Sequence, residues 1–322
     1  MEEVLPNIFR NEIPLPGNPL KAVNSYVIRG RGRNLIVDTG MNRKACIEAM
    51  DAGLRELEVD LTKTDFFITH LHADHFALVS TLATDTSTIY FNQPDGERVK
   101  SRGAWEIMGE YARFNGFPDE EVRAALSNHP GQKYGGSKFE RPLHILKEGD
   151  SVSIGDYHFT CVETPGHTRG HMCLYEPEKK ILFSGDHILG DITPNIQCWS
   201  DRLNPLKEYL ASLDKICRMD VDVVLPGHRS IFRTCKERID ELKHHHRNRA
   251  DEVLSILAGN KNNAYGVAAE MTWDIVCDSW EQFPVSQKWF ATGEAIAHLR
   301  YLQEKGLVIK EKLNGHILYA LP

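Results

Sequence analysis

A chain of 322 residues exceeds what one ordinary hydrophobic core needs and leaves room for a catalytic domain of roughly 230 residues plus a small second domain. Its 41% hydrophobic and 26% charged residues are those of a folded globular protein; no run of about 18 apolar residues occurs, and Met1–Arg10 carries Glu2 and Glu3 where a leader would be basic and apolar, so no membrane role and a cytoplasmic location are expected. The net charge of −7 weighs against a polyanionic partner, and seven scattered cysteines without C-x-x-C spacing argue against a disulfide framework or zinc ribbon and read as small buried apolar residues.

Short β-branched or aromatic runs predict strands at Ser25–Ile28, Leu35–Val37, Phe66–Thr69, Thr88–Phe91, His158–Glu163, Met172–Tyr175, Ile181–Phe183 and Val221–Leu225. Helical spacing intervenes at Cys46, Ile47, Met50, Leu54 and Leu57, and again at Leu206, Tyr209, Leu210, Leu213 and Cys217, each set aligning one apolar stripe. Strands covered by such helices predict an α/β architecture. Over residues 94–142 the rhythm changes. Ile107, Met108, Tyr111 and Phe114 have helical spacing, Pro118-Asp119-Glu120-Glu121 reads as a fresh helix start with acids in its first turn, and Gly131, Gly135 and Gly136 mark a loop. This helical insertion is expected either to cover a sheet edge or to form an active-site lid whose Trp105, Tyr111 or Tyr134 touches substrate.

Past Arg233 the strand signals stop. Lys236–Leu257 reads as one polar helix; its His244, His245 and His246 point in three directions and are read as a solvated face, since one ion would need spacing of three or four residues. Leu307–Lys312 and His316–Ala320 flank Asn314-Gly315, a strong hairpin signal. Helices closed by a hairpin predict a small winged-helix-like domain over residues 236–322, after a catalytic domain over 1–235.

The chemistry lies in Ile68-Thr69-His70-Leu71-His72-Ala73-Asp74-His75, which places three imidazoles and a carboxylate within six positions after a buried strand. These are the donors a borderline divalent ion accepts. In extended chain His70 and His72 project the same way and can reach one ion, while Asp74 and His75, past the turn, are free to face a second. Thr164-Pro165-Gly166-His167, Ser184-Gly185-Asp186 and Pro226-Gly227-His228 each follow a predicted strand and deliver one further ligand at a glycine turn. Four strand ends delivering ligands is not a chance pattern.

An H-x-H-x-D-H run followed in this order by three single-ligand turns resembles the metallo-β-lactamase superfamily, over roughly residues 8–232. The resemblance implies a four-layer αββα sandwich with the site at one edge of its sheets. It assigns His70, His72 and His167 to one divalent ion, Asp74, His75 and His228 to a second, and Asp186 to a bridge between them. Val37-Asp38-Thr39-Gly40 is similar to the family's early D-T-G turn, where Asp38 either braces the ligands or only forms the turn. Zinc is the default metal, although the same donors accept iron or manganese. Family members that hydrolyse β-lactams commonly have cysteine where Asp186 stands and lack a ligand equivalent to His75, so the set looks instead like that of glyoxalase II, the homoserine-lactone lactonases and the metal-dependent ribonucleases. Ile192-Thr193-Pro194-Asn195 and Asn204-Pro205-Leu206 are similar to a branch that carries a C-terminal winged helix.

The implied reaction is hydrolysis by a hydroxide shared between two ions that have acidified its parent water, with Asp74 orienting it or carrying its proton to the leaving group. A carboxylic ester or thioester of acyl-glutathione or acyl-CoA type is the leading substrate expectation, from the mild acidity and the aromatic insertion. The alternatives are a phosphodiesterase or ribonuclease, a lactonase and, less in keeping with a filled ligand set, an iron-dependent sulfur dioxygenase. Against nucleic acid, Lys236–Pro322 holds 11 Lys and Arg against 12 Asp and Glu, and the candidate recognition helix Gln287–Glu304 offers only Lys288 and Arg300 as cations. Ala295, Ala297, Leu299 and Leu302 read as packing residues against the catalytic domain or a second subunit, which leaves a homo-oligomer open.

Overall fold

The computed structural model describes residues 1–101, 103–134, 139–275 and 277–322, Tyr134 by its backbone alone. The chain divides into two units: residues 1–101, 130–194 and 212–239 form the first, and residues 102–129, 195–211 and 240–322 the second.

Two sheets build the first unit. One holds β1 (Glu2–Leu5), β2 (Ile8–Pro14), β3 (Ala22–Arg29), β4 (Asn34–Val37), β5 (Thr64–Phe67), β6 (Ile89–Asn92) and β7 (His144–Leu146) in chain order, antiparallel up to β4 and parallel from there to β7. The other runs antiparallel through β8 (Ser151–Ile154), β9 (Tyr157–Glu163), β10 (Met172–Glu176) and β11 (Ile181–Gly185), and adds β12 (Val223–Pro226) parallel to β11. Their inner faces share one core, in which Tyr26, Ile28, Val37 and Phe67 meet Phe159, Leu174, Phe183 and Leu225. Full burial of each such aromatic ring contributes about 2–3 kcal/mol. On the outer face of the first sheet, Val27, Ile36 and Phe66 pack with Cys46, Met50 and Leu54 of α1 (Lys44–Glu56), the stripe that the sequence spacing predicts. The fold is the mixed α/β sandwich expected of the resemblance.

Strand direction decides where chemistry can gather. β4, β5 and β6 are mutually parallel, and β9, β11 and β12 also run alike, because β10 is antiparallel to both β9 and β11. The segments leaving these six carboxyl ends, loops or the first turns of helices, carry Asp38, His70–His75, Asp95, His167, Asp186 and His228. All eight predicted strands have counterparts, but β5 ends at Phe67, two residues early, and β1, β2, β7 and β8 go beyond the predicted set. Within the HxHxDH segment lies α2 (Ala73–Phe76), followed by α3 (Val79–Leu82).

The insertion divides between the units. α4 (Gln93–Lys100) and α7 (Pro130–Tyr134) belong to the first, whereas α5 (Ala104–Phe114) and α6 (Asp119–Asn128) belong to the second. There they are joined by the start of α8 (Pro205–Cys217), by α9 (Cys235–Leu257) from Asp240 onward, and by α10 (Ala264–Glu270), α11 (Val285–Glu304) and the hairpin of β13 (Ile309–Leu313) and β14 (His316–Ala320). Asn314 (φ 50°) and Gly315 (φ 82°) turn that hairpin, the left-handed pair a two-residue loop requires. The second unit's core collects Phe117, Val122, Ala125 and Trp289, with Trp199 stacked on Trp289 at 4.1 Å.

Two sequence expectations need correction here. His244 alone of the three consecutive histidines is exposed; His246 is 2% exposed because α11 covers that side of α9, and its Nδ1 lies 3.3 Å from His298 Nε2. Lys288, counted as a cation on offer to phosphate, is 3% exposed and donates to Glu121 Oε1 at 2.7 Å. Ala295, Ala297, Leu299 and Leu302 are buried, as packing residues should be. The cysteines are free thiols, five of them buried and Cys217 and Cys277 half-buried.

Candidate metal centre

Every proposed ligand belongs to the first unit, and the structure brings all seven together. His70 Nε2 lies 3.0 Å from His72 Nδ1, which lies 2.9 Å from His167 Nε2. On the other side, His75 Nε2 is 3.3 Å from His228 Nε2, and Asp74 Oδ2 is 3.5 Å from His228 Nε2 and 4.0 Å from His75 Nε2. Asp186 stands between these groups: its Oδ2 is 3.6 Å from His167 Nε2 and 3.4 Å from His228 Nε2, and its Oδ1 is 3.5 Å from His75 Nε2. Ligand atoms of His70/His72/His167, of Asp74/His75/His228 and of His70/His75/Asp186 all fall within 4.8 Å of one another inside each set.

The outward-facing ring nitrogens show how the inward ones are held bare. Asp38 Oδ2 accepts from His75 Nδ1 at 2.7 Å and from the Thr69 hydroxyl at 2.8 Å, and Oδ1 accepts from the Thr69 amide at 2.9 Å. Because the single hydroxyl proton of Thr69 goes to Asp38, its oxygen is left to accept from His70 Nδ1, 3.0 Å away. His228 Nδ1 donates to Ala22 O at 2.6 Å. In His70, His75 and His228, therefore, the Nδ1 proton is taken up outside the cluster and Nε2 is the nitrogen left to face a cation, which on His75 and His228 would stand where the neighbouring acids otherwise favour a proton.

Electrostatics fit the same purpose. Burial, then the neighbouring His75, His72 and His167, hold the His70 imidazole well below its ordinary range. Burial also works against a charged His75, but Asp186, Asp38 and Asp74 outweigh it and raise that ring well above the usual value; His228 is raised in the same way by Asp186 and Asp74. Asp186 stays well below the ordinary carboxyl range in spite of its burial, through His228 and His75. Its Oδ1 is nonetheless buried without a hydrogen bond. A Cβ on Gly227 would come within 2.5 Å of that oxygen and 2.8 Å of His75 Cε1, so only glycine leaves this space open. An orphaned carboxylate oxygen, lone pairs converging from several rings and an all-nitrogen and oxygen donor set fit divalent metal ions.

Of the proposed substrate contacts, Trp105 and Tyr111 lie in the second unit and the side chain of Tyr134 lies outside the described residues. The Trp105 ring packs on His129 at 4.6 Å, and the Tyr111 hydroxyl donates to Asp201 at 2.5 Å. Burial, with Asp201 and Tyr319 nearby, raises the Tyr111 phenol far above its usual range. Sequence reasoning missed Thr69 and His171. His171 Nε2 accepts the amide of Asp186 at 3.1 Å, and its Nδ1 donates to Thr164 Oγ1 at 2.7 Å, so it fixes the backbone that presents Asp186. His171 lies four residues past His167 in a strand-leading turn, and that spacing was its available signal.

Against this geometry, the model of the metallo-beta-lactamase superfamily matches residues 18–228. The chain belongs to that superfamily. Among curated proteins, human acyl-coenzyme A thioesterase MBLAC2 is 26% identical over 221 residues, covering 65% of this chain and 74% of that protein. The probable metallo-hydrolase YqjP of Bacillus subtilis is 24% identical over 256 residues, covering 76% and 79%. Among solved structures, the metallo-beta-lactamase family protein TTHA1429 of Thermus thermophilus superposes with a TM-score of 0.83 at 26% identity, covering 99% of this chain and 100% of its own. A beta-lactamase domain protein of Burkholderia ambifaria also gives 0.83, at 27% identity over 100% and 93%. The protein is a metal-dependent hydrolase of the superfamily, and no helix among the described residues is long and apolar enough to cross a membrane.

Proposed function

We propose that the centre holds two divalent cations and hydrolyses a thioester or carboxylic ester of a small acyl compound. The observation that carries this reading is the position of Asp186, whose Oδ2 faces His167 at 3.6 Å and His228 at 3.4 Å, one from each ligand triad. His70, His72 and His167 would hold one ion, Asp74, His75 and His228 the other, with Asp186 shared. Zinc is the metal best suited to this donor set. Two such ions supply Lewis acidity and a water acidified toward neutrality.

The chain's own residues do the rest. Asp38 and Ala22 O fix the tautomers of His75 and His228, and Asp186 offsets the concentrated positive charge. Asp74, 8% exposed and beside His228, is the carboxylate we assign to moving a proton toward the leaving group. The thioester preference is supported by the resemblance to a protein named as an acyl-coenzyme A thioesterase. We assign residues 236–322 to a winged-helix-like packing domain, since burial of Lys288 removes one of its few candidate phosphate contacts. The protein is proposed to work in the cytoplasm.

The test is metal analysis of the purified protein, then turnover of acyl-CoA and acyl-glutathione thioesters, lactones and bis-p-nitrophenyl phosphate. Two equivalents of metal and fastest turnover of a thioester are expected. Phosphodiester cleavage alone would move the substrate to nucleic acid, and a single iron without hydrolysis would overturn the proposal.

A further inference from the structure

Asp95 stands in the first turn of α4, where a carboxylate ordinarily serves the amides of its own helix. Its side chain leaves that helix instead. The residue is 1% exposed, and its Oδ2 accepts from the backbone amide of Leu71 at 3.0 Å and the hydroxyl of Thr168 at 2.7 Å, while Oδ1 accepts from the amide of Gly170 at 2.8 Å. Leu71 separates His70 from His72, and Thr168 follows His167 directly. One buried carboxylate thus ties the turn leaving β5 of the first sheet to the loop leaving β9 of the second. The fit is tight: a Cβ on Gly170 would come within 2.6 Å of both the Asp95 amide nitrogen and its Cγ.

We infer that Asp95 is a positioning residue, a three-point clamp that sets the separation of His70 and His72 from His167 and so the affinity of one metal site. This rests on the reading of those three histidines as ligands. Asp95 is not itself a ligand, because its oxygens are engaged by two amides and a hydroxyl. Burial pushes its carboxyl up to about 6 against the pull of those donors and of the nearby Arg169, so near neutral pH it is largely the carboxylate, with both oxygens accepting. An Asn there keeps an oxygen for Leu71 and Thr168 but turns an NH2 toward the Gly170 amide, setting donor against donor.

The experiment is titration of metal-free wild type, Asp95→Asn and Thr168→Val with Co2+, following the visible d–d bands and competing with a chromophoric chelator. Thermal unfolding of each metal-free variant reports folding, and Thr168→Val, which removes one bond from the opposite side, serves where Asp95→Asn folds poorly. The clamp requires wild type to take up two equivalents. In Asp95→Asn one equivalent should weaken about 10–100-fold with a shifted band, the range typical of partners that orient metal ligands, while the other is unchanged; Thr168→Val should show a smaller loss at the same site. Two equivalents bound by both variants with wild-type affinity and spectrum would overturn the clamp alone. A wild type that binds no Co2+ would sink the metal-centre reading and the clamp with it.

Discussion

Replacing Asp38 by Asn separates a residue that braces ligands from one that only makes a turn. The carboxylate is 1% exposed and accepts three hydrogen bonds, from the Thr69 amide at 2.9 Å, the Thr69 hydroxyl at 2.8 Å and His75 Nδ1 at 2.7 Å. The amide has the same shape but one acceptor oxygen. With that oxygen toward His75, its NH2 confronts the Thr69 N–H, leaving buried donors unpaired at a cost of about 1–3 kcal/mol, and the bond to His75 loses its charge assistance. The backbone is unaffected, because Asn adopts the left-handed φ of 56° as readily as Asp. The unpaired donors destabilise the protein with or without metal, whereas loss of the partner that orients His75 should weaken the ion held with that ring by about 10–100-fold. The ion held with His70 should lose less, since Asp38 reaches that ring only through Thr69. Competition of the metal-free proteins against a chromophoric chelator for Zn2+ measures both. Two equivalents bound by D38N with wild-type affinity would show that Asp38 shapes the turn and nothing more.

Asp186→Ala removes the carboxylate shared by the two triads and should leave at most about one metal equivalent, with hydrolysis reduced more than a hundredfold; elemental analysis with near wild-type content and turnover would refute the bridge. Changing His244, His245 and His246 together to Ala should leave metal content intact and yet cost about 1–3 kcal/mol in urea unfolding, because His246 is buried against His298; loss of a metal equivalent would contradict this. Asp95 carries a pH signature. Its folded carboxyl sits at about 6 against 3.8, so folding takes up a proton between those values, and the stability this supplies is complete below about pH 4 and lost, by about 3 kcal/mol, as pH rises through 6. Denaturation of metal-free wild type and Asp95→Asn between about pH 4.5 and 7 should show wild type losing ground to the variant, and a constant difference would refute the assignment. Excising residues 101–131 would delete Phe117, Val122 and Ala125 from the core around Trp289, so Tyr111→Phe is the better probe of this segment. It should leave metal content unchanged, as metal analysis would show, and it would have to alter turnover if that hydroxyl serves the reaction.

The parts of the fold that were legible in the sequence were those with a strong local period. The β9, β10 and β11 runs and the α1 and α8 stripes announce themselves because burial on a fixed face demands apolar residues at fixed spacing. β2 hides because Arg10, Asn11 and Glu12 interrupt Ile8 and Ile13, both wholly buried. Among the site residues, the proposed ligands were readable because metal-binding side chains at short fixed spacings leave a chemical pattern in each motif. Asp95 was not, because its partners lie 24, 73 and 75 positions away and nothing local distinguishes it from any acid in a helix's first turn. His246 misled for the complementary reason: adjacency to two more histidines suggested a wet face, whereas burial is decided by α11, whose His298 lies 52 positions later.

Asn24 of β3 donates its side-chain amide to Pro226 O and Arg229 O, 202 and 205 positions away, and its backbone N–H to Gly227 O, while Ala22 O takes the proton of His228. On the ribosome that separation becomes a delay. At roughly 5–20 residues per second, some 10–40 seconds pass between emergence of β3 and of the turn that completes its edge. Throughout that interval the nascent chain displays the HxHxDH turn without His228, and a translation arrest before Val223 would leave a product that lacks this member of the proposed metal centre.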